Sequence, residues 1–131
     1  MFFKNAVRRV AVSAAVVAAT MSTLVVPAQA TVSGCNVDTC ILIKGEGLHV
    51  DHIRVGMDAW TLERDAHFRI WGGGIDMNTP RKTYSWNRHI HFTLELSRSV
   101  PRGTKFCTEG WEHMPDGSLK SMGLPCATVT G

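Results

Sequence analysis

Ile90-His91-Phe92-Thr93-Leu94-Glu95-Leu96-Ser97 alternates apolar and polar residues without a break. Successive side chains of a strand leave opposite faces. Ile90, Phe92, Leu94 and Leu96 therefore share one side, and His91, Thr93, Glu95 and Ser97 the other. A strand that is apolar on one face only belongs to a sheet that covers that face with a second layer. This stretch points to an antiparallel β architecture.

The flanking sequence agrees. Cys40 to Lys44 reads as a short strand, apolar in its middle. From Gly47 to Met57 the inward set begins as Leu48 and Val50 and continues as Ile53, Val55 and Met57. That change of parity at Asp51-His52 predicts a β-bulge or a division into two strands. His67 to Trp71 places Phe68 and Ile70 on one side and His67, Arg69 and Trp71 on the other, before Gly72-Gly73-Gly74 turns the chain. Thr104 to Glu112 follows the turn at Pro101-Arg102-Gly103, Asp116-Gly117 marks another turn, and Cys126 to Thr130 closes the chain as a strand. Residues 31 to 36 read as a loose arm, and Met57 to Phe68 carries at most one turn of helix. The expected fold is all-β, a small antiparallel sandwich or barrel of six to seven short strands.

Residues 1–30 have the layout of a cleaved secretory signal. Lys4, Arg8 and Arg9 lead into the mostly apolar run Val10 to Val26, and Ala28-Gln29-Ala30 places small residues before a cut. Ser13, Thr20, Ser22 and Thr23 interrupt that run, which argues against a retained membrane anchor. Residues 31–131 are then a single mature β domain. The whole chain carries a formal charge of +3. The leader holds three of those positive charges and no acid, so the mature part is neutral. Neutrality removes any general attraction to nucleic acid or anionic lipid.

Cys35, Cys40, Cys107 and Cys126 all follow the leader. An even set in an exported chain of this length predicts two disulfides. Three pairings are possible. Cys35–Cys40 with Cys107–Cys126 is favoured because each closes a local loop. The spacing lacks the close pairs of a zinc site and holds no Cys-x-x-Cys redox motif.

Few residues offer chemistry. His89 and His91 leave the same face of a strand, a spacing that metal sites use, with His67, His49 or Glu95 as possible third ligands. The alternative is a solvated strand face, and this is the reading adopted, with no cofactor expected. No Gly-x-Ser-x-Gly elbow or phosphate-binding loop is present. The aromatic residues lead further. Trp60, Trp71, Trp86 and Trp111 with Tyr84 are dense for a small domain, and each either fills the core or serves recognition. The candidate binding surface is Trp71, Tyr84, Trp86, Arg88, His89 and His91.

Gly47-Leu48-His49-Val50, His67-Phe68-Arg69-Ile70, Ser97-Arg98-Ser99-Val100-Pro101-Arg102-Gly103 and Phe106-Cys107-Thr108-Glu109-Gly110-Trp111 belong together. With Gly123-Leu124-Pro125-Cys126-Ala127-Thr128-Val129 they make the chain resemble a family of small secreted two-disulfide proteins of actinobacteria without an assigned activity. The resemblance implies a β fold and an extracellular compartment, and it carries over no catalytic residue.

The expectation is a secreted, non-enzymatic binding protein whose partner is an extracellular protein or an envelope component. The alternatives are a protease inhibitor using Asp116 to Pro125, a bacteriocin-like toxin, and a metal-dependent hydrolase using His89 and His91. Cleavage after Ala30 leaves a product beginning at Thr31. N-terminal sequencing of exported protein is expected to read Thr-Val-Ser-Gly, and a sequence starting at Met1 would remove the signal reading.

Overall fold

The computed structural model describes residues 31–57, 63–84 and 90–131, Tyr84 by its backbone alone. Its strands, in chain order, are β1 (Val32–Asn36), β2 (Thr39–Glu46), β3 (His49–Met57), β4 (Arg64–Gly72), β5 (Ile75–Asn78), β6 (Lys82–Tyr84), β7 (Ile90–Ser99), β8 (Thr104–His113), β9 (Leu119–Ser121) and β10 (Cys126–Val129). They form two antiparallel sheets. Sheet one has the order β1-β2-β3-β7. Sheet two runs β10-β8-β4-β5, with β6 also paired to β4 and β9 to β8. The all-β expectation holds, with ten strands among the described residues in place of the expected six to seven.

The inner faces explain why these residues form these strands. Ile41 and Ile43 of β2 and Ile53, Val55 and Met57 of β3 are buried, as are Phe68 and Ile70 of β4, Phe106 of β8 and Val129 of β10. Branched and aromatic side chains of this kind suit a pleated, covered surface. The parity change in β3 is a bulge. Lys44 faces His52 and Gly45 faces Val50, so Asp51 is skipped by β2. That skip lets Val50 and Ile53 both point inward. The glycine run is also a turn as expected. Gly73 and Gly74, at φ 55° and 83°, form the two-residue hairpin loop between β4 and β5, a geometry that needs positive φ at both positions.

One expectation is corrected. Residues 31 to 36 are not a loose arm, because Val32–Asn36 is β1, paired along its length with β2. Small residues such as Ser33 and Gly34 gave it no apolar period to read. Met57 ends β3 and Arg64 begins β4, and residues 58–62, where the helical turn was expected, lie outside the described residues. Strands β5, β6 and β9, of four, three and three residues, were not anticipated. Trp60, Trp86, Arg88, His89 and the leader lie outside the described residues.

Both disulfides are present with the favoured pairing. Each joins directly opposed residues of neighbouring strands, Cys35 to Cys40 across β1–β2 and Cys107 to Cys126 across β8–β10. These two stapled edges meet. A Cβ on Gly34 of β1 would overlap the carbonyl oxygen of Cys126 in β10. Close by, the buried Thr39 hydroxyl donates to the Met122 carbonyl at 2.8 Å, and the Asp38 amide donates to the same oxygen at 3.2 Å. The opposite margin is looser. Phe92, Leu94 and Leu96 of β7 and Ile75 and Met77 of β5 are only partly covered there, and the Arg98 guanidinium donates across it to the Gly73 carbonyl.

Replacing both cysteines of the Cys107–Cys126 bridge by alanine is expected to cost about 3 kcal/mol, and those of Cys35–Cys40 about 2 kcal/mol, following the loop each closes. Gly34→Ala, with both bridges intact, is expected to cost about 1–3 kcal/mol through overpacking. Urea unfolding of the three variants checks the order and the overlap.

Candidate functional site

The outward side chains of sheet two fall into rows set by strand register. Cys126, Cys107, Trp71 and Asp76 make one row across β10, β8, β4 and β5. Glu109, Arg69 and Asn78 make the next, and Ser121, Trp111 and His67 the third. Directly opposed residues lie close enough to touch, so each row is a contiguous strip.

Arg69 is the hinge of the first two rows. Its Nε and Nη2 donate to the two carboxylate oxygens of Asp76 at 3.0 and 2.9 Å. Its guanidinium carbon lies 5.1 Å from the Trp71 ring centroid, a cation–π arrangement. The hydrogen bonds from Arg69 hold the Asp76 carboxyl below the usual carboxylate range. Beside them, the Ser121 hydroxyl donates to Glu109 at 2.8 Å. Trp71 and Trp111 are both half-buried on this outer face.

At the far end of the face two imidazoles meet. His67 Nδ1 lies 2.7 Å from His113 Nε2, with ring centroids 4.9 Å apart and planes tilted by 53°. Such a bond requires one nitrogen to be an unprotonated acceptor. Burial pushes the His67 pKa down, helped by the charges of His113 and Arg81. Arg81 in turn grips Asp65, its Nε donating at 2.7 Å to one oxygen and its Nη2 to the other, which lowers the Asp65 pKa. A groove of about 600 Å³ opens here between Asp65, Arg81, Glu112, His113 and Met114.

The residues anticipated as one surface are divided. Trp71 is on the outer face of sheet two. His91 is on the outer face of sheet one, in a row with Gly56 and Cys40. The thickness of the sandwich separates them, because β4 and β7 belong to different sheets. His91 lies against Gly56, whose added Cβ would stand 3.0 Å from His91 Nδ1. The two residues border a hollow of about 430 Å³ that also includes Leu42 and Arg54. Tyr84 sits opposite Arg64 in β6. Of the third ligands considered for a His89–His91 metal site, His67 is on the other sheet, and His49 pairs with Ser99 near the far end of β7. Among the described residues no group of three or more His, Cys, Asp or Glu could hold a metal.

Arg69, Trp111 and His113 were missed as site residues. Their signal was present in parity: Lys105, Cys107, Glu109, Trp111 and His113 are alternate residues opposite the buried Phe106, Thr108 and Gly110. The inhibitor segment Asp116 to Pro125 is mostly bound to β8. Leu119–Ser121 is β9, and the Met122 amide donates to the Gly110 carbonyl at 2.7 Å. Compared with known proteins, the chain matches no family model, no curated protein and no solved structure.

A histidine whose folded pKa is depressed stabilises the fold above the unfolded imidazole pKa and loses that contribution as pH falls toward the folded value. Between about pH 7 and pH 5, the range where unperturbed histidine titrates and aspartate does not, wild-type Tm is expected to fall more steeply than that of His67→Asn. Parallel Tm profiles in the two proteins would show that His67 does not couple protonation to folding.

Proposed function

We propose that this protein is a secreted, non-enzymatic binding module whose recognition surface is the outer face of sheet two, and whose partner is an extracellular protein or an envelope component. The observation that carries the reading is the placement of Trp71 and Trp111 on an outward sheet face, with Arg69 fixed between them. The outer face of an antiparallel sheet ordinarily carries solvated polar residues. Tryptophan and arginine are the residue types that most often dominate binding energy. Arg69 is already held by Asp76 and stacked on Trp71, so less rotamer freedom is lost when a partner docks. The two disulfides are compatible with an oxidising compartment.

The test is a thermal-shift screen of the purified protein against cell-wall glycans and purified secreted proteins. A ligand at a hundred times its Kd is expected to stabilise the fold by about 2.7 kcal/mol. Trp111→Ala or Trp71→Ala should weaken that ligand by about 2 kcal/mol or more, roughly thirtyfold. His91→Ala, on the opposite face, should bind as wild type. A ligand that binds both tryptophan variants normally, or a screen without any shift, would overturn the assignment.

A further inference from the structure

We infer that the Cys35–Cys40 bridge is a thiol–disulfide exchange site open to an external dithiol, while Cys107–Cys126 is a closed staple. Exchange begins when a thiolate reaches a disulfide sulfur, so access decides which bridge reacts. Both bridges join directly opposed residues of adjacent antiparallel strands. Their surroundings differ. Cys107 belongs to the outer face of sheet two, yet it is only 6% exposed, and Trp71 stands directly opposite it on β4. On sheet one the residue opposite Cys40 is Gly56, which has no side chain to cover the bridge. Cys35 lies on β1, the edge strand of that sheet. Cys35 is exposed and Cys40 is half-buried.

The chemistry suits the place. Cys40 and Gly56 border the hollow of about 430 Å³ on sheet one, and Arg54 forms part of its wall. Arg54 is opposed by Leu42 and Thr93, so neither neighbour in register is a carboxylate. Asp38, also at the hollow, is held by Arg64 at 3.1 Å. Positive charge near a sulfur favours its thiolate, and a thiol of lower pKa leaves faster. An external thiolate attacks Cys35, the more exposed partner, and forms a mixed disulfide with it. The Cys35–Cys40 bond breaks, and its electron pair stays on Cys40 as a thiolate at the hollow. The second thiol of the reagent then displaces Cys35. The dithiol ends as a disulfide, two electrons have passed to the bridge, and the two thiol protons end on Cys35 and Cys40. The pairing of β1 with β2 and the hydrogen bonds of Asp38 and Thr39 to the Met122 carbonyl involve no sulfur. They hold the margin while the bridge is open.

The inference is independent of partner recognition on sheet two. Oxidised protein is treated with dithiothreitol in the absence of denaturant, freed thiols are trapped with iodoacetamide over time, and peptide mass spectrometry assigns them. Cys35 and Cys40 are expected to be labelled together, about tenfold or more ahead of Cys107 and Cys126, with the β-sheet circular-dichroism spectrum retained. Global unfolding exposes both bridges at once, so a difference in rate reports access in the folded protein. This comparison uses the wild-type chain and needs no variant to fold. Trp71→Ala should speed the opening of Cys107–Cys126 without changing that of Cys35–Cys40. Arg54→Gln should slow Cys35–Cys40 alone. Equal rates at the two bridges, earlier opening of Cys107–Cys126, or two variants that both react as wild type would rule the exchange site out.

Discussion

Among the described residues the two sheets are joined most closely along one margin, and the rest of the structure follows from that asymmetry. At the locked margin each sheet ends in a strand tied by sulfur to its neighbour, β1 to β2 and β10 to β8. Gly34 lets those edges approach without a side chain between them. The Met122 carbonyl then accepts from both Asp38 and Thr39, carrying the contact from one sheet to the other. A domain of about a hundred residues buries a modest share of its surface, so constraints on the unfolded chain weigh heavily in its stability. Edge strands are the elements that open most easily, and here two of them cannot leave without breaking a covalent bond.

The narrow interior dictates what faces outward. Ile, Val, Met and Phe fill the space between the sheets, and the polar residues buried among the described ones, Thr39, Thr79 and Thr108, carry small hydroxyls that are each hydrogen-bonded. Thr108 donates to the Arg69 carbonyl at 2.8 Å, and Thr79 accepts from the Phe68 amide at 2.9 Å. The two described tryptophans stand outside this interior. On sheet two they become part of a surface whose charged members restrain one another, Arg69 with Asp76 and Arg81 with Asp65. Surface ion pairs of this kind add little stability. Their effect is to fix the orientation of side chains that would otherwise sample many rotamers, and fixed geometry is what recognition requires.

Much of this architecture was legible in the sequence because its cause is local. Alternation in Ile90 to Ser97 and in Phe68 to Ile70, the parity break at Asp51, the triple glycine and the spacing of the cysteines all act within a few residues. β1, β5, β6 and β9 were not legible because each is short or poor in apolar residues, and each exists through pairing with a longer strand. The surface was harder to read for the same reason. Alternation assigns a residue to a face of its own strand, but it does not say which sheet that strand joins. Trp71 and His91 were grouped by composition, yet β4 and β7 belong to different sheets. The His67–His113 pair joins residues 46 positions apart, and only the β4–β8 register brings them together.

The unlocked margin raises a separate question, since β7 is a ten-residue edge with a partly covered apolar row. Long flat edges invite pairing with other chains. β7 is not flat. His52 faces Glu95 and Val50 faces Arg98, so one residue more lies between these pairs on β7 than on β3. Ser97 absorbs the difference in a left-handed conformation at φ 46°. A bulge of this kind bends the strand and increases its twist, which spoils the straight ladder an incoming strand would need. Arg98 then reaches to the Gly73 carbonyl and bridges the gap between the two sheets. Glu95 leaves a charge on the outward face of the same strand. Sheet extension along β7 is thus opposed by backbone shape and by charge, and the surface left best organised for contact is the outer face of sheet two.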